Sequence, residues 1–202
     1  MTVAKKHRER RSLMRERRSR HPGLREALLA DARVTAAHRA ERHEFHSRGD
    51  AVIQVLRLIW VSDAFLAQAL YRLKARLQTL GVPVLPRVAH RLGMAIAQVS
   101  IGDPVIVHPG VYIIHGQVVI DGITEIHSGA VIGPFVTIGL RAGDWVGPTV
   151  ERNVTIGTGA KVLGRLRVGA GARIGANAVV VADVAEGTTA VGVPARALTA
   201  KG

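Results

Sequence analysis

Nine histidines and no cysteine set the chemistry open to this chain. Without cysteine it can form neither a disulfide, nor a thiolate zinc site, nor a thiol nucleophile. Imidazole is then the principal reactive group near neutral pH, as a proton carrier or as a metal ligand. Three histidines, His108, His115 and His127, fall in the glycine-rich second half, where aliphatic residues recur every six positions. His115 stands at a break in that recurrence. From Ile113 to Ile120 the step is seven, so an extra residue lies within Ile114-His115-Gly116-Gln117, a bulge that turns His115 outward. His108 and His127 each directly follow an inward aliphatic position, which places them on the outer surface of a corner. A second break covers Leu140 to Thr149, so Arg141 to Gly147 reads as a projecting loop that lets Trp145 cover a ligand.

The element that must position these residues follows from the period. The six-residue recurrence runs through Ile101, Val107 and Ile113, then Ile120, Ile126, Ile132 and Ile138, and again Val150, Ile156, Val162, Val168, Ile174 and Val180. A helix needs apolar residues every three or four positions and a half-buried strand every two, so six satisfies neither alone. Six residues make one face of a triangular coil. Each aliphatic side chain then points to the prism axis and stacks on its counterpart one coil away, Ile120 beneath Ile138, Ile156 and Ile174, with glycine and small residues at the corners.

Before residue 99 the pattern is helical. Leu24, Leu28 and Leu29 open one amphipathic segment running toward Phe45; Val52, Val55, Leu56 and Ile59 mark a second; Phe65, Leu66, Leu70 and Leu73 a third. Gly49-Asp50 and Ser62-Asp63 read as helix starts with acidic caps, Gly81-Val82-Pro83 ends the third helix, and a fourth follows from Leu85. The stretch before that is basic. Residues 1 to 20 hold nine Lys or Arg against Glu9 and Glu16, more than half of the chain's formal charge of +13, and read as a solvated, mobile arm. No apolar core follows the run as a secretory signal requires, and the longest apolar stretch, Ala51 to Val61, is half a membrane span, so a cytoplasmic protein is expected. With 3% aromatic residues the chain lacks stacking platforms for single-stranded nucleic acid, and no specific nucleic-acid or membrane partner is expected. The reading is thus α+β: an arm over 1–21, a helical domain over 22–98, and a repeat domain over 99–202.

The repeat resembles the hexapeptide-repeat acyltransferases, whose chain winds as a left-handed parallel β-helix. Over residues 24 to 198 the resemblance sharpens to the serine acetyltransferases and related sugar O-acetyltransferases. Phe65-Leu66-Ala67-Gln68-Ala69-Leu70-Tyr71-Arg72 is similar to the family's FxAxxxYR, and Ile156-Gly157-Thr158-Gly159-Ala160-Lys161-Val162-Leu163-Gly164 to its IGAGAKILG. Ile174-Gly175-Ala176-Asn177-Ala178-Val179-Val180 resembles IGANSVV, and the run from Thr188 to Arg196 resembles TTAAGVPAR. The stretch from Val99 to His115 lies without a gap over the family's VDIHPAAKIGRGIMLDH, which puts its catalytic histidine on His115.

The resemblance implies an acetyl-CoA-dependent O-acetyltransferase in cysteine biosynthesis, with direct transfer to a small-molecule hydroxyl, His115 as general base and no metal. It implies a cofactor site of Gly139, Thr158, Gly159, Ala160, Lys161, Arg173, Ala176 and Arg196. It also implies a homotrimer, with the helical domain a means of pairing trimers into hexamers. The chain departs from the family at three positions. Ser100 stands where an aspartate orients the histidine, Ile114 where an aspartate precedes it, and Gly147 where a second histidine lies in the loop. Ser100, Asp50 and Trp145 are therefore the candidate acceptor-binding residues, with Asp103 and Asp121 as substitutes for the missing carboxylates. Other acceptors, a sugar among them, remain open. Two further classes compete: a non-catalytic trimeric scaffold, and a β-helix carbonic anhydrase with zinc held across a subunit interface by His108, His115 and His127.

Overall fold

Two serines set the helical domain. The Ser47 hydroxyl accepts from the Asp50 N–H at 3.1 Å and the Ser62 hydroxyl from the Phe65 N–H at 3.3 Å, capping two helix starts. In the computed structural model, which describes residues 12–198, the helices are α1 (12–19), α2 Leu24–His38, α3 Arg48–Val61, α4 Asp63–Thr79 and α5 Leu85–Ala97. Pro86 in the first turn of α5 fits a position whose N–H would have no helical partner. Ala32, Ala36, Leu58 and Phe65 form a small core of their own, with Phe45, Val55 and Ile59 packed against it. Among the described residues no helix is long and apolar enough to cross a membrane.

From Val99 the chain winds as a parallel β-helix of three faces. The first face stacks Val99–Ile101, Val118–Ile120, Thr137–Gly139, Lys161–Leu163 and Val179–Val180. The second stacks Ile106–Val107, Ile123–Ile126, Val146–Val150 and Arg167–Val168. The third stacks Tyr112–Ile113, Val131–Ile132, Thr155–Ile156, Arg173–Ile174 and Thr189–Val191, with Arg196–Ala197 returning antiparallel at its end. Every aliphatic residue of the six-residue recurrence is buried. A second inward column lies two residues before it, with Val105, Val111, Val118, Ala130, Val136, Val154, Ala160, Ala172 and Ala178 fully enclosed.

The stacking order corrects one expectation. Ile120 does lie beneath Ile138, but Ile138 pairs with Val162, whereas Ile156 and Ile174 stack on Ile132 in the third face. The projecting loop is the cause. It lengthens its coil by one whole repeat, so that Ile126 meets Val150 and Ile138 meets Val162. An insertion of one period keeps the six-residue phase while moving every later residue on by one face.

The expected mobile arm also differs over its described part. Residues 12–19 are helical, and Arg17 is buried against the second face, donating to the carbonyls of Pro104 at 2.9 Å and Thr124 at 2.6 Å. Arg20 donates to both oxygens of Glu125 at 2.8 Å. A guanidinium can satisfy carbonyls and a carboxylate at once, which is why basic residues dock here instead of staying solvated. Residues 1–11 lie outside the described residues.

Beside Arg17, His21 sits within 3.4 Å of the Tyr71 hydroxyl. Its pKa is pushed down to about 4 by burial and by the charges of Arg72, Lys74 and Arg17, against a smaller opposing pull from Asp103. The unfolded imidazole takes a proton near 6.5 and the folded one only near 4, so His21 costs no stability above pH 6.5 and costs progressively more as pH falls toward 4. After allowing for partial solvent screening the expected loss is on the order of 1–2 kcal/mol. Urea midpoints measured from pH 7 to 4 should fall more steeply for the native chain than for His21→Leu. Equal slopes would remove His21 as the cause.

Candidate functional site

The glycines of the repeat create an edge along which backbone stands bare. Where the third face turns into the first, the corners are Ile114 to Gln117, Gly133-Pro134-Phe135, Gly157-Thr158-Gly159 and Gly175-Ala176-Asn177, and Gly192 to Pro194 turns the chain back along the third face at the end of this edge. A side chain at Gly133 would strike the Thr158 amide at 2.8 Å, and one at Gly157 the Ala176 amide at 2.8 Å. Left-handed backbone at Gln117, Phe135, Gly159 and Asn177 makes each turn. The coils are bound along this edge by Gly159 N–H to Pro134 O and Asn177 N–H to Thr158 O, each 2.8 Å.

His115 occupies the first corner of this edge and is exposed. The extra residue expected there is present, since Ile101 pairs with Ile120 over a coil one residue longer than that from Ile120 to Ile138, and a side chain at Gly116 would overlap the Ala97 carbonyl, so the corner rests on the junction between α5 and the first strand. Thr158, Gly159 and Ala176 share the edge, two and three coils beyond His115. Ala160 and Gly139 are buried in the adjoining wall, and Lys161, at the start of the first face, donates from Nζ to the Phe135 carbonyl at 2.6 Å. Arg173 and Arg196 are exposed on the neighbouring third face. Apart from Gly139, which ends its strand beside the Trp145 loop, the candidate cofactor residues thus gather about one edge of the prism, and His115 stands at its first corner.

The acceptor candidates are less unified. Ser100 lies on the first strand, paired with Val119 and one coil below it, and no hydrogen bond joins Ser100 to His115. Asp50 is committed elsewhere. Its carboxylate takes both Arg42 Nη atoms, at 2.9 and 2.5 Å, and the His46 N–H at 3.0 Å; these bonds, Arg42's first, hold its pKa down at about 2. Asp103 pairs with Lys74 at 3.2 Å, and Asp121 accepts the Gly122 N–H at 2.7 Å. Trp145 is exposed on a different edge, where the first face turns into the second. Its loop is held by Asp144, whose Oδ1 accepts the Trp145 and Val146 N–H groups at 2.7 and 3.0 Å. At Gly147 a side chain would overlap Thr124 Oγ1 and meet the Asp121 carbonyl at 3.1 Å. The family's second histidine therefore has no room at that position.

The three histidines do not converge. His108 and His127 stand one coil apart where the second face turns into the third, with rings stacked 4.5 Å apart and 10° from parallel. Their common neighbour is Glu125, at 2.9 Å from His108 Nε2 and 4.0 Å from His127 Nε2. His115 belongs to another edge of the prism, so a zinc site that used all three would have to draw on more than one copy of the chain. Glu125 was not marked by the sequence; the signal was its outward place on the coil between those two histidines.

No family model matches the chain. A three-faced parallel β-helix of six-residue repeats with a histidine at the head of a bare-backbone edge defines the hexapeptide-repeat class. Within it the likeness is specific. The chain is 33% identical over 164 residues to a serine acetyltransferase of Synechococcus elongatus, covering 77% of this chain and 65% of that protein. To the serine acetyltransferase of Helicobacter pylori strain J99 it is 39% identical over 133 residues, 64% of this chain and 77% of that protein. A solved serine acetyltransferase apoenzyme, truncated, superposes with a TM-score of 0.74 at 27% identity, over 93% of this chain and 75% of that one. The soybean serine acetyltransferase complexed with serine gives 0.72 at 29% identity, over 89% and 71%. The chain belongs to the serine acetyltransferase family, a family of acyltransferases.

Proposed function

We propose that the protein is an acetyl-CoA-dependent O-acetyltransferase that passes the acetyl group directly to a small hydroxyl compound, with His115 as general base. The observation that carries this reading is the shared edge: an exposed imidazole stands at the head of a track of small residues, with Lys161, Arg173 and Arg196 beside it. Another serine acetyltransferase with this fold has been solved in complex with CoA, at a TM-score of 0.71 and 26% identity. The imidazole takes the acceptor's hydroxyl proton as the oxygen attacks the thioester carbonyl. Collapse of the tetrahedral adduct expels the CoA thiolate, which recovers that proton from the imidazolium. No covalent enzyme intermediate and no metal is required.

The shortage of unpaired carboxylates among the acceptor candidates favours a hydroxyl compound other than a free amino acid. An ammonium group needs a carboxylate partner, since an unpaired charge in a dry site costs several kcal/mol, about that for each ion left without one. Ile114 and Ser100 supply none, Asp50 and Asp103 are already paired with cations, and of the candidates Asp121 alone is left, with one oxygen taken by the Gly122 N–H. Thiol release from acetyl-CoA over serine, homoserine and a panel of sugars tests this. Release with a sugar or other neutral acceptor above that with serine is expected; no release with any hydroxyl compound would favour the scaffold reading.

His115 and Trp145 lie on different edges of one prism, so a pocket using both needs a second copy of the chain. A homotrimer supplies it, each prism offering one edge to its neighbour. Exposed Ile53, Leu56 and Trp60 on α3 support pairing of trimers through the helical domain. Light scattering should give a trimer or a hexamer, and a monomer at micromolar concentration would overturn the composite pocket.

Coenzyme A carries phosphates at its nucleotide end, and a charge-assisted bond to one from an arginine contributes about 1.5–3 kcal/mol. Arg196 is exposed beside the cofactor edge, its Nη1 bonded among the described residues only to its neighbour's carbonyl at 3.2 Å. Arg196→Ala should raise KM for acetyl-CoA about tenfold with little change at the acceptor. An unchanged constant would remove Arg196 from the site.

A further inference from the structure

We propose that His108 Nε2, His127 Nε2 and the Glu125 carboxylate form a binding site for one divalent transition-metal ion of the zinc class, separate from the acyl-transfer edge. The three ligand atoms lie within 4.8 Å of one another. A tetrahedral ion with bonds of about 2.0–2.2 Å holds its ligand atoms about 3.4 Å apart. Glu125 already spans 2.9 and 4.0 Å to the two imidazoles; the rings stack within 10° of parallel, so to share an ion they turn out of the stack and aim both Nε2 lone pairs at one point.

The backbone fixes these positions in advance. The ligands come from adjacent coils in register: Ile106 pairs with Glu125 and Val107 with Ile126. The His108 N–H is bound to Ile126 O at 2.8 Å and the His127 N–H to Val150 O at 2.9 Å. The Arg72 guanidinium further holds the His108 carbonyl at 3.0 Å. Little ordering cost remains for the ligands. In the absence of an ion, a proton on His108 Nε2 fills the place between imidazole and carboxylate. Two imidazoles and one carboxylate suit zinc, nickel or copper and offer too few oxygens for calcium or magnesium.

Two cations also contact the carboxylate oxygens. Arg17 Nη1 lies 3.5 Å from Glu125 Oε2 and is otherwise tied to the carbonyls of Pro104 and Thr124, so it orients the carboxylate as an outer partner of a metal site does. Arg20 holds both carboxylate oxygens but is half-exposed and free to turn toward solvent. It competes with the ion for the same oxygens. A bound ion would clip the first coil to the second, next to the docked α1, and would stabilise the folded chain in proportion to its occupancy.

The test uses the full chain, stripped with chelator and titrated with zinc by calorimetry and with cobalt by visible absorption. One equivalent per chain is expected, with the d–d bands of a low-coordinate cobalt site. His108→Ala and His127→Ala should each weaken binding by more than the roughly 10–100-fold that an outer partner is worth. Circular dichroism checks that each variant is folded, and Glu125→Gln, which keeps the side chain's shape, should lose the cobalt bands as well. Arg20→Ala should tighten binding a few-fold, a result opposite to that of removing a structural prop. His43→Ala, remote in sequence and outside the cluster, controls for scattered histidine binding. Absence of saturable binding, or an affinity unchanged in His127→Ala, would overturn the proposal; acyl transfer does not depend on it.

Discussion

His115→Ala should lower turnover about 10²–10⁴-fold, the usual contribution of general-base assistance, while the affinity for acetyl-CoA stays intact. The two effects separate because His115 heads the edge while Thr158, Gly159 and Ala176 lie two and three coils beyond it. The bulge that presents the imidazole rests on the Ala97 carbonyl through Gly116, so removing the side chain leaves the corner in place. A second variant reads the same chemistry from the other side. Ser100 is a neutral group one coil below that corner's following strand, and a hydroxyl stabilises an imidazolium less than a carboxylate does. Ser100→Asp should therefore raise turnover in the native chain and have no effect in His115→Ala. Turnover by His115→Ala at the native rate with the preferred acceptor would assign the base to another group.

How much of this was legible in the sequence depends on the range over which each cause acts. The inward column from Ile101 to Val180 could be read because burial at a fixed period leaves a one-dimensional trace. The second column, Val105, Val111 and their successors, left a weaker one, since alanine and valine at those places also suit an ordinary turn. Face assignment after residue 139 failed because an insertion of one whole repeat is invisible to a period. The helix starts near Asp50 and Asp63 were legible, and Tyr71-Arg72 as a motif, because both act over a few neighbouring residues; the caps themselves are the Ser47 and Ser62 hydroxyls and not the acidic side chains expected there, which lie inside the first turns. The partners of that motif were not. Asp31 lies 41 positions before Arg72, and Glu125 is 108 beyond Arg17; only the docking of the helices on the first coils brings these charges together. The same applies to His108 and His127, whose outer-corner placement was readable but whose convergence on Glu125 required the ladder between coils. Departures from the family at Ser100, Ile114 and Gly147 were visible as letters, yet only the overlap with Thr124 shows why histidine is excluded at Gly147.

Those long-range charges carry the second large effect. Arg72 and Asp31 are both buried, joined by Nε to Oδ2 at 2.9 Å and Nη2 to Oδ1 at 3.3 Å. The remaining donors and acceptors are used too: Arg72 donates to the carbonyls of Val107 and His108, and Asp31 Oδ1 accepts the Gly110 N–H at 2.8 Å. Next to them the Tyr71 hydroxyl donates to Val105 O at 2.9 Å and accepts the Val107 N–H at 3.1 Å. One turn of α4 and one residue of α2 thus satisfy a stretch of the first coil that has no coil before it to pair with. Breaking such a pair from one side leaves an uncompensated charge in a dry interface, which costs about 3–5 kcal/mol. Arg72→Met should lower stability by about that amount, read as a fall in the urea midpoint, because it strands both the Asp31 carboxylate and two carbonyls. Asp31→Leu should cost a similar amount by stranding the guanidinium. Combined, Asp31→Leu and Arg72→Met remove both charges, so the double variant should be more stable than the sum of the single losses predicts. Strict additivity would mean that the two groups stabilise the junction independently, and the ion pair would then not be what holds the helical domain to the β-helix.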